Sequence, residues 1–396
     1  MQRDRSVALA CGGLAAMAAA LGIGRFVYTP ILPAMFSALG WSKADAGLVA
    51  SANFLGYFIG ALLAGRPYVA AQPRPWLLTA LAISAASTAA MAAPSDLASF
   101  AGLRFVGGIA SAFVIVCAST LVLERLSLSG RGSLSAIHFA GVGFGIMISA
   151  ITVSAMLASG AGWRSLWIGS GSIAALAAIA AASLIPAANN VIALPKPEVS
   201  RARPSRVGPM VVAYGLFGFG YVITATFLVA IVRLTDEVRV LEPWVWMLFG
   251  LAAIPSVTVW AWLGERIGIM NAYAAACAIE AIGVAASVEW VTISGVCFSA
   301  LLLGGTFMGL TALGSMAARV LSTENSHRAF GRMTASFGIG QMVGPSLAGF
   351  LSEQSGSFRV ASLIAAAALI AAAALALWTS LAAANDRQSY LTANGD

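Results

Sequence analysis

The chain repeats itself. Gly22-Ile23-Gly24-Arg25 returns 196 residues later as Gly218-Phe219-Gly220-Tyr221, and Ser159-Gly160-Ala161-Gly162-Trp163-Arg164 returns as Ser355-Gly356-Ser357-Phe358-Arg359. Between them, Gly143-x-Gly145 is answered by Gly338-x-Gly340 at an offset of 195. A spacing that barely drifts over so long a stretch implies two homologous halves. Both halves are apolar: 60% of residues are hydrophobic, 9% are charged, and the mean hydropathy is +0.89. A soluble domain carries roughly 25% charged residues, so this chain has too little charge to cover a water-facing surface. It must fold in a membrane, and as a duplication.

A membrane helix needs about 20 mainly apolar residues. Twelve such segments are expected, at 8–36, 44–65, 75–93, 97–123, 133–158, 164–186, 209–233, 243–263, 270–289, 291–318, 330–352 and 359–382. The longest polar interruption, Asn189–Arg206, carries three prolines and several basic residues between the sixth and seventh segments. The expected organisation is therefore a six-helix bundle over 1–188, a linker over 189–207 and a second six-helix bundle over 208–396. The fold class is an all-α membrane protein with two pseudo-symmetric bundles.

Loop charge sets the orientation. If the N-terminus is cytoplasmic, fifteen basic residues fall inside: Arg3, Arg5, Arg66, Arg74, Arg125, Arg131, Lys196, Arg201, Arg203, Arg206, Arg266, Arg319, Arg328, Arg332 and Arg387. Five fall outside, Lys43, Arg164, Arg233, Arg239 and Arg359, while Arg25 and Arg104 lie within spans. The excess of inner Lys and Arg predicts both termini in the cytoplasm. It also accounts for the formal charge of +7 without invoking nucleic acid, since no extended basic face exists. Cys11, Cys117, Cys277 and Cys297 lie in apolar runs without CxxC spacing and are expected as buried thiols. With two histidines, His138 and His327, a His-based metal centre is not expected. The basic Met1–Arg5 and the run before Cys11 resemble a signal sequence, but the apolar stretch is too short and leads into the repeated Gly22-x-Gly24, so retention is expected.

Several motifs resemble those of the major facilitator superfamily. Leu263-Gly264-Glu265-Arg266-Ile267-Gly268 is similar to the family loop motif L-A-D-R-x-G, which implies a gating-loop role for Glu265 and Arg266; the counterpart at Ala61–Arg66 lacks the acidic residue. Arg104–Gly108 is similar to R-x-x-Q-G, with Gly107 in place of Gln, and Gly340–Pro345 matches G-x-x-x-G-P. Gly141–Gly145 has no such proline. The run from Gly22 to Pro33, then Ser51-Ala-Asn53-Phe-Leu-Gly56-Tyr57, then Tyr214 to Phe227, resembles a bacterial branch often called the YbfB/YjiJ type. The resemblance implies a multi-pass carrier of the bacterial inner membrane, driven by protons or another gradient.

Arg25 is the leading candidate for chemistry. A charge near the bilayer centre costs at least ~2.5–3.5 kcal/mol, so it faces a cavity or a partner. Gly22, Arg25, Thr29 and Pro33 share one helical face, and Pro30 and Pro33 weaken the helix just beyond. A guanidinium there suits a carboxylate, which it can grip with two parallel hydrogen bonds; a structural ion pair is the competing reading. Tyr28, Thr29, Asn53, Tyr57, Tyr214, Tyr221, Thr224 and Gln341 are hydrogen-bonding candidates for the same cavity, with Tyr221 at the repeat position of Arg25. Tyr57 and Tyr214 read equally as helix packing. Three residues are candidates for proton movement. The resemblance implies such a role for Arg104, against a structural pin. Glu280 is the carboxylate deepest in an apolar run, where it either carries protons or serves structure. His138 titrates within the physiological range when exposed, or packs as a neutral ring.

Gly141-x-Gly143-x-Gly145 lies in a span without a preceding strand and reads as close helix packing, not a nucleotide loop. No Walker, GxSxG or HExxH pattern occurs, so no cofactor, metal or enzymatic role is expected. Residues and resemblance together predict a monomeric alternating-access carrier of a small organic anion, a monocarboxylate or aromatic acid, coupled to protons. The alternative is proton-driven efflux of drugs or metabolites; a transport-like receptor and a membrane enzyme are the rivals from other classes.

Overall fold

The computed structural model describes the backbone of residues 2–186, 207–321 and 326–393, and side chains over 5–186, 207–321 and 329–382. The linker expected at 189–207 lies outside the described residues, except Val207. Fourteen α-helices are described. They are α1 (Gln2–Met17), α2 (Tyr28–Leu39), α3 (Lys43–Ala64), a one-turn α4 (Pro67–Ala71), α5 (Pro73–Ala90), α6 (Leu97–Leu128), α7 (Ser135–Ala158) and α8 (Trp163–Leu184). After the linker come α9 (Val207–Arg233), α10 (Glu242–Ile267), α11 (Ile269–Glu289), α12 (Ile293–Leu321), α13 (Ser326–Ser355) and α14 (Arg359–Ala393). With α1 and α2 counted as one crossing, six long crossings stand on each side of the linker. Ten are long and apolar enough to span a membrane on those grounds alone. The remaining two, α5 and α13, are rich in small and polar residues and pack between neighbours, α5 against α6 and α8, α13 against α3 and α9.

The repeated glycines explain the sequence echo physically. A Cβ on Gly22 would lie 2.5 Å from the Gly145 Cα, and in the other half one on Gly340 would strike the Gly215 carbonyl. Gly143 meets the backbone of α10, while its mate Gly338 meets Phe58 of α3, so this pair marks the two equivalent seams between halves. Gly160 and Gly356, also mates, have φ of 80° and 74° and end α7 and α13 in the left-handed conformation that glycine adopts without strain. The arginines that close this motif tie equivalent corners together. The Arg164 side chain donates to the Ala92 carbonyl at 3.1 Å, and Arg359 forms a two-bond pair with Glu289.

The first crossing departs from the expected single helix over 8–36. Ala18–Ile23 is π-helical, Gly24–Val27 forms turns, and α2 starts only at Tyr28. Pro30 supplies no amide, so the Thr29 amide donates to Phe26 O at 3.3 Å and the ordinary ladder is lost. The repeat-equivalent α9 has Thr226 and Val229 at the positions of Pro30 and Pro33 and runs unbroken. The cysteine expectation needs correction. Cys117 and Cys277 are buried, but Cys11 is exposed and Cys297 half-buried, because an apolar run facing lipid is not thereby buried in protein.

The halves meet along α3–α13 and α7–α10, and α2 packs on α9. Thr29 Oγ1 donates to Ala225 O at 2.8 Å, and Arg233 Nη2 to Ser37 Oγ at 3.4 Å. Both pairs join repeat-equivalent residues, so the pseudo-two-fold axis passes between them. At the same end, the Lys43 amide donates to Glu353 Oε2, and its ammonium to the carbonyls of Ser352 and Gly356. Ser346 bonds Ser51 nearer mid-height. These contacts seal the face away from the termini.

Candidate functional site

The broken first crossing places Arg25 in the middle of the molecule, 4% exposed. Its guanidinium carbon sits 4.2 Å from the Tyr57 ring centroid, 4.6 Å from Phe54 and 5.5 Å from Phe26. Rings hold a cation by their negative faces but accept no conventional hydrogen bond in the plane of the fork. Nε and Nη2 of Arg25 are accordingly buried without a partner. These two groups form the edge that engages a carboxylate side-on.

Arg104, on α6, is equally buried. Its Nη1 donates to Gly24 O at 3.0 Å and its Nη2 to Arg25 O at 2.8 Å, with its guanidinium 5.0 Å from the Tyr28 ring centroid. Arg25, Phe26, Tyr28, Thr29, Phe54 and Arg104 line a cavity of about 10 Å³, closed across by Val222, Ala225 and Thr226 of α9. That is room for about one water. No described carboxylate is bonded to either guanidinium. The cavity is therefore small, closed and positive.

The other predicted residues divide by distance from this centre. Asn53 Nδ2 donates to the Arg104 carbonyl at 2.8 Å, leaving its Oδ1 unpartnered. Tyr28 and Thr29 are on the wall, but their hydroxyls are engaged with Ala46 O and Ala225 O. Tyr221 bonds Gln341, whose Oε1 is unpartnered. Its ring sits in an aromatic array with Phe217, Phe307 and Phe337 at 5.1, 5.8 and 5.9 Å. Tyr214 stacks on Phe337 and donates to Thr311 O, one layer nearer the termini. Thr224 is buried with an unpartnered hydroxyl and is not on the cavity wall.

Glu280 is wholly buried on α11, and both carboxylate oxygens lack partners. His138 lies apart, roughly 18 Å along the first crossing from Arg25 at the level of Gly13; its Nε2 faces Ser119 Oγ at 3.2 Å and a Cβ on Gly13 would strike its Nδ1. Glu265 and Arg266 are exposed in the last turn of α10, where Arg266 covers Trp262. Sequence reading missed Phe54. The signal was present, since Phe54 and Tyr57 are three apart on α3 and so share a face.

Residues 17–377 match the family described as uncharacterised MFS-type transporter YbfB. No functionally curated protein matches. Among solved structures, a mutant of the nucleoside transporter NupG aligns at 16% identity and a TM-score of 0.73, covering 94% of this chain and 99% of that one. A second NupG structure aligns at 14% identity and a TM-score of 0.67, covering 96% and 98%. At such identity the likeness establishes the fold alone, an all-helical transporter fold of two six-helix bundles. The extent of the family match completes the assignment: this chain is a membrane transporter of the major facilitator superfamily and belongs to its YbfB-type family.

Proposed function

We propose that the chain is a proton-coupled secondary carrier of a small organic anion, a monocarboxylate or an aromatic acid. It works by alternating access as a monomer in the bacterial inner membrane, with both termini cytoplasmic. The observation that carries this reading is the unpartnered Nε–Nη2 edge of Arg25, in a cavity with a second guanidinium and no carboxylate in contact. A buried charge without a partner is costly. A substrate carboxylate would supply two charge-assisted hydrogen bonds to that edge, and its organic part would lie against Phe26, Phe54 and Tyr57. The cavity holds only about one water as it stands, so loading requires the halves to part. Binding of the anion offsets the Arg25 charge and favours reclosure around it. Glu280 is the proposed proton carrier, being a wholly buried carboxylate whose two oxygens have no partner.

The test is transport in liposomes with benzoate as the first probe. Labelled benzoate is expected to enter benzoate-loaded vesicles by counterflow and to accumulate when a pH gradient is imposed. Glu280→Gln is expected to keep counterflow and to lose gradient-driven accumulation. Nucleosides, for which the structurally similar NupG is described as a transporter, serve as neutral competitors and are expected to be ineffective. Counterflow of nucleosides or of cationic amphiphiles, with none for any carboxylate in a broad panel, would overturn the anion reading.

A further inference from the structure

We propose that Arg104 is a positioning residue: it replaces the missing helical donors in the broken first crossing and thereby aims the Arg25 side chain into the cavity. The second part rests on the anion reading above. No backbone amide is bonded to the carbonyls of Gly24 and Arg25: the Tyr28 amide, four residues past Gly24, makes no such bond, and the Thr29 amide, four past Arg25, has turned to Phe26 O. Those two acceptors sit in a buried segment where water cannot satisfy them, and an unmet buried carbonyl is expensive. The two Nη groups of Arg104 meet them at 3.0 and 2.8 Å. A planar fork is suited to spanning two adjacent carbonyls at once, which a single amide or hydroxyl cannot do.

The chain supplies its own control. In the second half the corresponding crossing, α9, is a continuous helix whose one proline, Pro209, lies in its first turn, with Thr226 and Val229 at the positions of Pro30 and Pro33. The residues that stand at the repeat position of Arg104, by offsets of 195 and 196, are Ser299 and Ala300. The arginine is thus found in the half with the break and missing from the half without it. Arg104 is itself held in place: its carbonyl accepts from Asn53 Nδ2, Tyr28 lies beneath its guanidinium, and Gly108, one turn on, lets α3 approach. With the Arg25 carbonyl pinned from one side, the Arg25 side chain packs its guanidinium on Phe54 and Tyr57 and lines the cavity, with Nε and Nη2 left unpartnered.

Amide hydrogen exchange with mass spectrometry on the full chain in lipid nanodiscs tests the hold directly. In Arg104→Gln, amides over residues 24–32 are expected to exchange about tenfold faster or more, the scale of one lost charged hydrogen bond. The equivalent stretch of α9, residues 220–228, is expected to stay at the wild-type rate, which separates a local release from general loosening. Arg104→Lys, which keeps the charge but loses the fork, is expected to fall between. The aiming is read from the benzoate-dependent rise in Tm: Arg104→Gln is expected to weaken apparent benzoate affinity about tenfold, and Arg104→Lys less. Unchanged exchange over 24–32, or equal acceleration in both halves, would overturn the proposal. So would faster exchange with wild-type benzoate affinity, provided Arg25→Gln abolishes that affinity. If Arg25→Gln leaves benzoate binding intact, it is the anion reading that fails, and the exchange result alone decides whether Arg104 holds the break.

Discussion

Arg25→Gln is expected to lower carboxylate counterflow by about a hundredfold or more, while the Tm of the empty protein holds or rises. Removing one member of a buried, hydrogen-bonded charge pair costs ~2–5 kcal/mol, and ~1.4 kcal/mol is tenfold. The unusual part is the sign of the stability change. Without substrate, Nε and Nη2 of Arg25 have no partner, so the native arginine is a liability to the folded state. Glutamine removes the charge and leaves a group that is cheaper to bury. The lost contacts with Tyr57 and Phe54 are worth ~0.5–2 kcal/mol and offset part of the gain. A structural arginine would behave in the opposite way, with a lower Tm and transport largely intact in the surviving protein. Thermal melts and counterflow on the same preparations decide between the two, and wild-type counterflow in the variant would remove Arg25 from the site. Arg25→Lys keeps the charge without the fork and is expected to lie between.

The sequence made the architecture readable because membrane helices announce themselves by length and apolarity, and because close helix contacts demand glycine at fixed places. Gly22 with Gly145, and Gly340 with Gly215, are such contacts, and they account for the echo between halves. The broken first crossing was half legible. Pro30 and Pro33 are visible, but the π-turn before them and the release of two carbonyls depend on a partner arriving from α6. Arg104 shows the limit most clearly. The motif leaves it between a part in proton movement and a structural pin, and nothing in the sequence shows that its guanidinium rests on backbone oxygens 79 and 80 residues away. Helical periodicity places a residue at a height along the bundle, but one residue of offset turns it by about 100°. Hence Arg25, Tyr57 and Asn53 cluster as their common depth suggests, while Tyr214 lies a layer away and His138 belongs to another part of the bundle.

The same glycine contacts yield a second large effect, which turns on whether the two partners belong to one half or to both. A Cβ on Gly108 would strike the Asn53 carbonyl, and both residues lie in the first bundle. That contact persists in every state of an alternating-access cycle, so Gly108→Ala is expected to lower Tm without favouring either orientation. Gly47 differs: its Cβ would strike the Pro345 carbonyl, across the seam between α3 and α13. That crowding exists only while the face away from the termini is closed. Overpacking costs about 1–3 kcal/mol, and if the open state escapes it, the population shifts toward that state by roughly ten- to a hundredfold. Gly47→Ala is therefore expected to expose the wall around Val222 and Thr226, which closes over Arg25 in the sealed form. A cysteine at Thr226 in a background lacking the four native cysteines reports this through labelling by a membrane-impermeant maleimide from the side opposite the termini. Faster labelling with Gly47→Ala, but not with Gly108→Ala, is the expected pattern. Equal labelling in the two would mean that the α3–α13 seam stays closed throughout the cycle and that access to Arg25 opens elsewhere.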